Sequence, residues 1–189
     1  ICVSNLTYLT AMKMGLDDIT CYDLAIAGLV HDIGKLKLSR YLYGRAHDSF
    51  AMENIKYMRM HSKLSYDILQ YYDFSPFIFQ SVLYHHENYD GSGYPENLKG
   101  EDIPFGARVM RVADTFTALI SDRPYRKAFD IDTAMEILID EIDNYDMEVF
   151  IAFQKVIHEP ETLKLIEQSR LIIDLDYDKF MKILETRTK

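Results

Sequence analysis

Apolar residues recur at helical spacing along almost the whole chain, each stretch opened by a capping residue and closed by a glycine or polar turn. Amphipathic helices bury their stripes against one another, so the pattern points to an all-α fold, helix packed on helix. A first helix is expected over 3–14, stopping at Gly15. A second runs from Cys21 to His31, N-capped by Thr20, with Ala25, Ile26, Leu29 and Val30 inward, and breaks at Ile33-Gly34. A polar, tyrosine-studded connection over 38–49 leads to a third helix, Met52 to Tyr71. Ser75-Pro76 opens a fourth that ends at His85-His86, and Pro104 opens a fifth, Phe105 to Ile120, with Val109, Val112, Ala113 and Phe116 inward. Asp132 and Asp146 each cap a further helix, Thr133–Ile142 and Met147–Ile157. Two short helices around Leu163 and Phe180 finish the chain, and Leu171-Ile172-Ile173 reads equally as helix or strand.

With 189 residues, one domain plus an appendage fits, read as 1–157 followed by a C-terminal helical extension, 158–189. A net charge of −9 argues against a broad basic surface for DNA or RNA, yet leaves room for a small phosphate ligand held by a few local cations or metals. Cys2 and Cys21 form neither a metal-ligand spacing nor a disulfide framework, so a reduced, cytoplasmic protein is expected. No apolar run is long enough to span a bilayer. A start at Ile1 rather than Met suggests a piece of a longer protein.

His85-His86 is the pair on which function turns. Neighbouring helical residues point about 100° apart, so two imidazoles that both matter must serve neighbouring atoms, as a pair of close metal ions would require. Taken alone, the pair reads as surface histidines at a helix C-terminus. His31-Asp32, His61 and Asp114 change that balance. Asp114 lies in the apolar run Val112-Ala113-Asp114-Thr115-Phe116, where a buried carboxylate needs a partner or a metal. His31-Asp32 alone would be a capped helix end, and His61 alone a half-buried histidine. Together His31, Asp32, His61, His85, His86 and Asp114 offer imidazole and carboxylate without thiolate, suited to iron, manganese, cobalt or zinc. Ligands spread over several helices are what a bundle core converges.

The string His31-Asp32-Ile33-Gly34-Lys35, followed by His85-His86-Glu87 and Asp90-Gly91-Ser92-Gly93-Tyr94-Pro95, resembles the HD-GYP branch of the HD-domain metal-dependent phosphohydrolases. The likeness continues through Leu98 to Pro104, Ala107-Arg108, Val112-Ala113-Asp114 and Ser121-Asp122-Arg123-Pro124-Tyr125-Arg126. It implies an HD-domain helical bundle that hydrolyses cyclic di-GMP to linear pGpG and on to GMP through a metal-bound hydroxide. The six residues above would hold two or three divalent metals, iron or manganese, with Asp32 bridging. Lys35 would add positive charge beside the phosphate, and Tyr94, Arg123 and Arg126 would contact substrate, the ring by stacking on guanine and the guanidiniums by gripping phosphate. The plain alternatives are a solvated charge cluster for the arginines and a tyrosine packed on its own proline.

The chain departs from the family pattern in three places. The family's upstream histidine, with its glutamate one turn earlier, would fall just before Ile1. The aspartate that commonly follows the Asp114 position by one turn is Thr117 here. Where the family has a Lys-Pro-Gly-like segment, this chain reads Tyr41-Leu42-Tyr43-Gly44-Arg45, a candidate lid. The first two departures motivate the alternative, a degenerate HD-GYP domain that binds a cyclic dinucleotide or partner proteins without turnover. A mononucleotide phosphohydrolase ranks third, because simpler HD enzymes lack the Gly-Tyr-Pro loop. Family members also imply diguanylate cyclase (GGDEF) partners at that loop, and a homodimer through the first helix is the natural expectation for a piece of a longer signalling protein.

Overall fold

The structure is a computed structural model and describes residues 2–42, 58–123 and 126–168. It is helical, as expected: α1 (Cys2–Lys13), α2 (Asp18–Val30), α3 (Lys35–Leu42), α4 (His61–Leu69), α5 (Pro76–Tyr84), α6 (Phe105–Leu119), α7 (Ile131–Asp140) and α8 (Met147–Ile157). Residues 160–168 are helical too. Among the described residues strand-like pairing is confined to one bridge, Arg123 with Arg126. The expected start of the third helix at Met52, His47, Tyr43 to Arg45 of the candidate lid, Leu171 to Ile173 and Phe180 lie outside the described residues.

Helix α6 is the central post. Val109, Val112, Ala113 and Phe116 are fully buried, as their spacing predicts, and α1, α5, α7 and α8 pack around them. The Phe116 ring meets Phe153 of α8 edge-on at 5.3 Å. A half-buried ion pair, Arg108 Nη1 to Asp146 Oδ2 at 2.6 Å, ties α6 to the α8 N-cap. Asp146 and Ser75 cap α8 and α5 as expected.

Several local expectations are corrected. Asp17, not Thr20, caps the second helix: its carboxylate accepts from the Thr20 N–H and hydroxyl, so the helix starts three residues earlier. For the same reason Asp130, accepting from Thr133, replaces Asp132 at α7. The inward face of α2 is also rotated. Leu29 is 61% exposed, and Cys21, Leu24, Ala27 and Gly28 are buried instead. This narrower face lets α1 close in, with Ser4 Oγ and Thr7 Oγ1 donating to the Ala25 and Leu24 carbonyls. The connection expected from Leu38 begins inside helix α3, and α4 stops at Leu69 rather than Tyr71.

The turn between α2 and α3 places the site. A Cβ on Gly34 would stand 2.3 Å from the His61 carbonyl oxygen and 2.6 Å from the Ser65 amide nitrogen, so only glycine permits this approach. The Gly34 N–H donates to Ser65 Oγ at 2.9 Å. His31-Asp32 is thereby laid against the first turn of α4, which begins with His61.

Candidate metal centre

Six side chains converge where α2, α4, α5 and α6 meet. His31 and His85 sit at the C-caps of α2 and α5, His61 opens α4, and Asp114 projects from the middle of α6. Three rings turn Nδ1 to the carbonyl three residues earlier: His31 to Gly28 at 2.8 Å, His85 to Val82 at 2.6 Å, and His61 to Met58. Each such bond assigns a ring proton to Nδ1 and turns Nε2 toward the cluster, the arrangement expected of metal-binding histidines.

Those Nε2 atoms crowd together. His61 Nε2 lies 3.3 Å from His85 Nε2 and 3.0 Å from His86 Nε2. His31 Nε2 is 3.3 Å from Asp32 Oδ2 and 3.4 Å from Asp114 Oδ1, and Asp32 Oδ1 is 3.3 Å from His61 Nε2. Two groupings have ligand atoms within 4.8 Å of one another: His61, His85 and His86, and His31, Asp32 and His85. His85 belongs to both. His31 Nε2 and Asp32 Oδ1 are buried without a hydrogen-bond partner. Buried lone pairs that face one another, with carboxylates alongside, lack only a cation. The donor set therefore fits divalent metal ions.

The electrostatics agree. Burial, then the His31 charge, pushes His85 down to about 3, and burial with His85 and His61 also lowers His86. Burial opposes charge on His31, but Asp114 and Asp32 outweigh it and hold the ring up to about 10. Burial opposes both carboxylates too, yet His31 keeps Asp114 and Asp32 well below the usual range, with Lys35 helping Asp32. The carboxylates and His85 are thus ready to ligate at neutral pH, and His31 would release a proton on loading.

The loop after His86 is folded against the centre. Glu87, 1% exposed, accepts from the Glu96 and Leu98 amides at 2.7 and 3.1 Å, and the Tyr94 amide donates to the His86 carbonyl at 3.1 Å. A Cβ on Gly93 would come within 2.2 Å of the Asn88 nitrogen, so the loop doubles back only because this residue is glycine. The Tyr94 ring stacks on His86, centroids 4.7 Å apart and 25° from parallel, and the Arg59 guanidinium lies over the same ring at 5.1 Å. Burial, with Asp114 nearby, raises the phenol above its ordinary value, so it stays protonated.

Lys35 Nζ sits 2.6 Å from Asp32 Oδ2. Arg126 is engaged elsewhere: its guanidinium donates to the Ala118, Leu119 and Lys127 carbonyls and covers the Phe129 ring at 4.3 Å, closing the end of α6. Arg123 is exposed, and its backbone pairs with that of Arg126. The contacts of neither arginine reach the histidine cluster among the described residues. The buried Thr117 hydroxyl has no hydrogen-bond partner.

Sequence reasoning passed over Glu87, Arg59 and Arg111 as site residues. Arg111, one turn before Asp114 on α6, donates to Asn88 Oδ1 at 2.7 Å and to Thr115, pinning the loop to the helix. A cation within the apolar face of a central helix was the signal available for it.

The sequence profile of the HD domain family matches residues 3–149. The chain is 33% identical over 141 residues to a cyclic di-GMP phosphodiesterase response regulator of Xanthomonas campestris, covering 72% of this chain and 36% of that protein. It is 31% identical over 159 residues to a 3'3'-cGAMP-specific phosphodiesterase of Vibrio cholerae, covering 82% of this chain and 34% of that one. It thus spans about a third of the length of these curated relatives. An HDG"Y"P protein from Bdellovibrio bacteriovorus shares the fold, with TM-score 0.65 and 20% identity over 84% of this chain and 51% of that one.

Proposed function

Since the chain belongs to the HD domain family, in its HD-GYP branch, we propose that it is a metal-dependent phosphodiesterase that hydrolyses cyclic di-GMP to linear pGpG and on to GMP. The observation that carries this reading is the pair of ligand groupings that share His85, set directly beneath a Gly-Tyr-Pro loop. His31, Asp32, His61, His85, His86 and Asp114 would hold two or three ions, and four imidazoles with two carboxylates suit iron or manganese. When bound, such ions supply positive charge for phosphoryl oxygens and make a water acidic enough to react at neutral pH.

The chain's own residues then bind and orient. Lys35 spends one N–H on Asp32 and keeps two donors for a phosphate oxygen. The protonated Tyr94 phenol is a further donor at the rim. Arg123, exposed at the end of α6, is free to meet substrate, whereas Arg126 acts by shaping that turn. The same reading includes diguanylate cyclases docking at the loop, a homodimer and a cytoplasmic location. Among the described residues no helix is long and apolar enough to cross a membrane.

A binding domain without turnover is the second reading, favoured by Thr117, which presents a hydroxyl where a carboxylate would orient a ligand. One experiment separates them. Protein purified without chelator is assayed for bound metal, then incubated with cyclic di-GMP and manganese or iron while linear product is followed by chromatography. Two or more metals with product support the enzyme. Ligand binding without product sinks it in favour of the second reading.

A further inference from the structure

We infer that Arg59 is a specificity-determining residue that grips the second, non-scissile phosphate of a cyclic dinucleotide; the inference rests on the reading above.

Three observations converge on it. First, the Tyr94 ring is already engaged in this structure. His86 stacks on it, centroids 4.7 Å apart, and the Arg59 guanidinium lies over the same ring at 5.1 Å. A base can stack on Tyr94 only after Arg59 moves away. Secondly, Arg59 is able to move. It is exposed, it ends a helical stretch two residues before His61, and among the described residues no carboxylate pairs with it. A cation over a half-buried ring is held less firmly than a guanidinium bonded bidentately to phosphate. Thirdly, the charge distribution asks for it. A cyclic dinucleotide carries two phosphodiesters, and the chain's net charge of −9 repels both. Lys35 and the candidate metal ligands would gather around one phosphate, so the other must be met from the rim, where Arg59 stands over the Tyr94 ring.

Binding would then exchange one contact for two: Arg59 goes from the tyrosine ring to phosphate, and the uncovered ring accepts a base. A ligand with a single phosphate would use the metal side and leave Arg59 where it is.

The test compares cyclic di-GMP with cyclic GMP, which has the same base and one cyclic phosphodiester, in wild type, Arg59→Gln and Arg59→Lys. Metal content is measured in each. Arg59→Gln is expected to weaken cyclic di-GMP by about tenfold to a hundredfold, the worth of a charged hydrogen-bonded contact, with a much smaller change for cyclic GMP. Arg59→Lys should recover part of the loss, because it restores the charge without the fork. Equal weakening of both ligands, no weakening of either, or loss of metal in Arg59→Gln would overturn the inference. Wild-type protein that binds cyclic di-GMP but never cleaves it refutes the phosphodiesterase reading, while the affinity ratio still decides Arg59. Wild-type protein that binds neither ligand overturns both.

Discussion

Replacing Gly34 by alanine should damage the metal centre without touching any ligand. The added Cβ would lie 2.3 Å from the His61 carbonyl oxygen and 2.6 Å from the Ser65 nitrogen, where contacts below 3.0 Å essentially do not occur. Both obstacles are backbone, so no side chain can turn aside. The α2–α3 turn and the start of α4 must separate by roughly 1 Å, and overpacking of that kind costs about 1–3 kcal/mol. For a chain of this size that lowers Tm by roughly 2–12 °C. The consequence for the site is sharper. Metal–ligand distances hold to about 0.2 Å, so a retreat of His61 by roughly 1 Å would take it out of reach of an ion that His85 or Asp32 would also hold. Gly34→Ala should therefore be folded, less stable, and short of metal. Circular dichroism melting with elemental analysis checks both effects. A variant that keeps wild-type Tm and full metal would refute the idea that this contact seats α4.

Three further outcomes are expected. Metal-free protein should be most stable near neutral pH: His85, held down to about 3, stabilises above the unfolded value near 6.5 and loses that contribution as pH falls toward 3. His31, held up to about 10, stabilises below 6.5 and loses its contribution as pH rises toward 10. A metal-free Tm that goes on climbing above pH 6.5 would contradict the His31 assignment, and one that does not fall below pH 6.5 would contradict that of His85. Glu87→Ala strips the acceptor from the Glu96 and Leu98 amides, at about 1–3 kcal/mol for each donor left dry, and should speed hydrogen exchange at those amides; unchanged protection there would mean the loop does not hang on Glu87. Thr117→Asp should improve metal retention by about tenfold or more if a carboxylate there orients a ligand, and equal retention in the two proteins would show that the site compensates.

The cluster was legible in the sequence because its chemistry is written in residue identity: adjacent histidines, a His-Asp pair and a carboxylate in an apolar run. Helix boundaries were legible where one capping residue stood alone, as Ser75 and Asp146 do. They were misread where two candidates lay two or three residues apart, as Asp17 and Thr20 or Asp130 and Asp132 do, and only geometry shows which one caps. The inward face of α2 was misread because hydrophobicity pointed to Leu29, whereas close approach of α1 selects the small residues Ala27 and Gly28. Arg126 is indistinguishable in sequence from a free cation, and its engagement depends on two carbonyls at the end of α6, those of Ala118 and Leu119. Arg59 carries no local signal, since the Tyr94 ring it covers is distant in the chain.

The three carbonyl-anchored histidines carry a consequence for how such a site comes into being. His31 and His85 satisfy carbonyls that the ends of α2 and α5 leave without amide partners, so the bonds that finish the two helices also aim the two ligands. Removing either imidazole would fray a helix end as well as take away a candidate ligand. A chain built this way ties the integrity of two helix ends to that of its candidate metal centre.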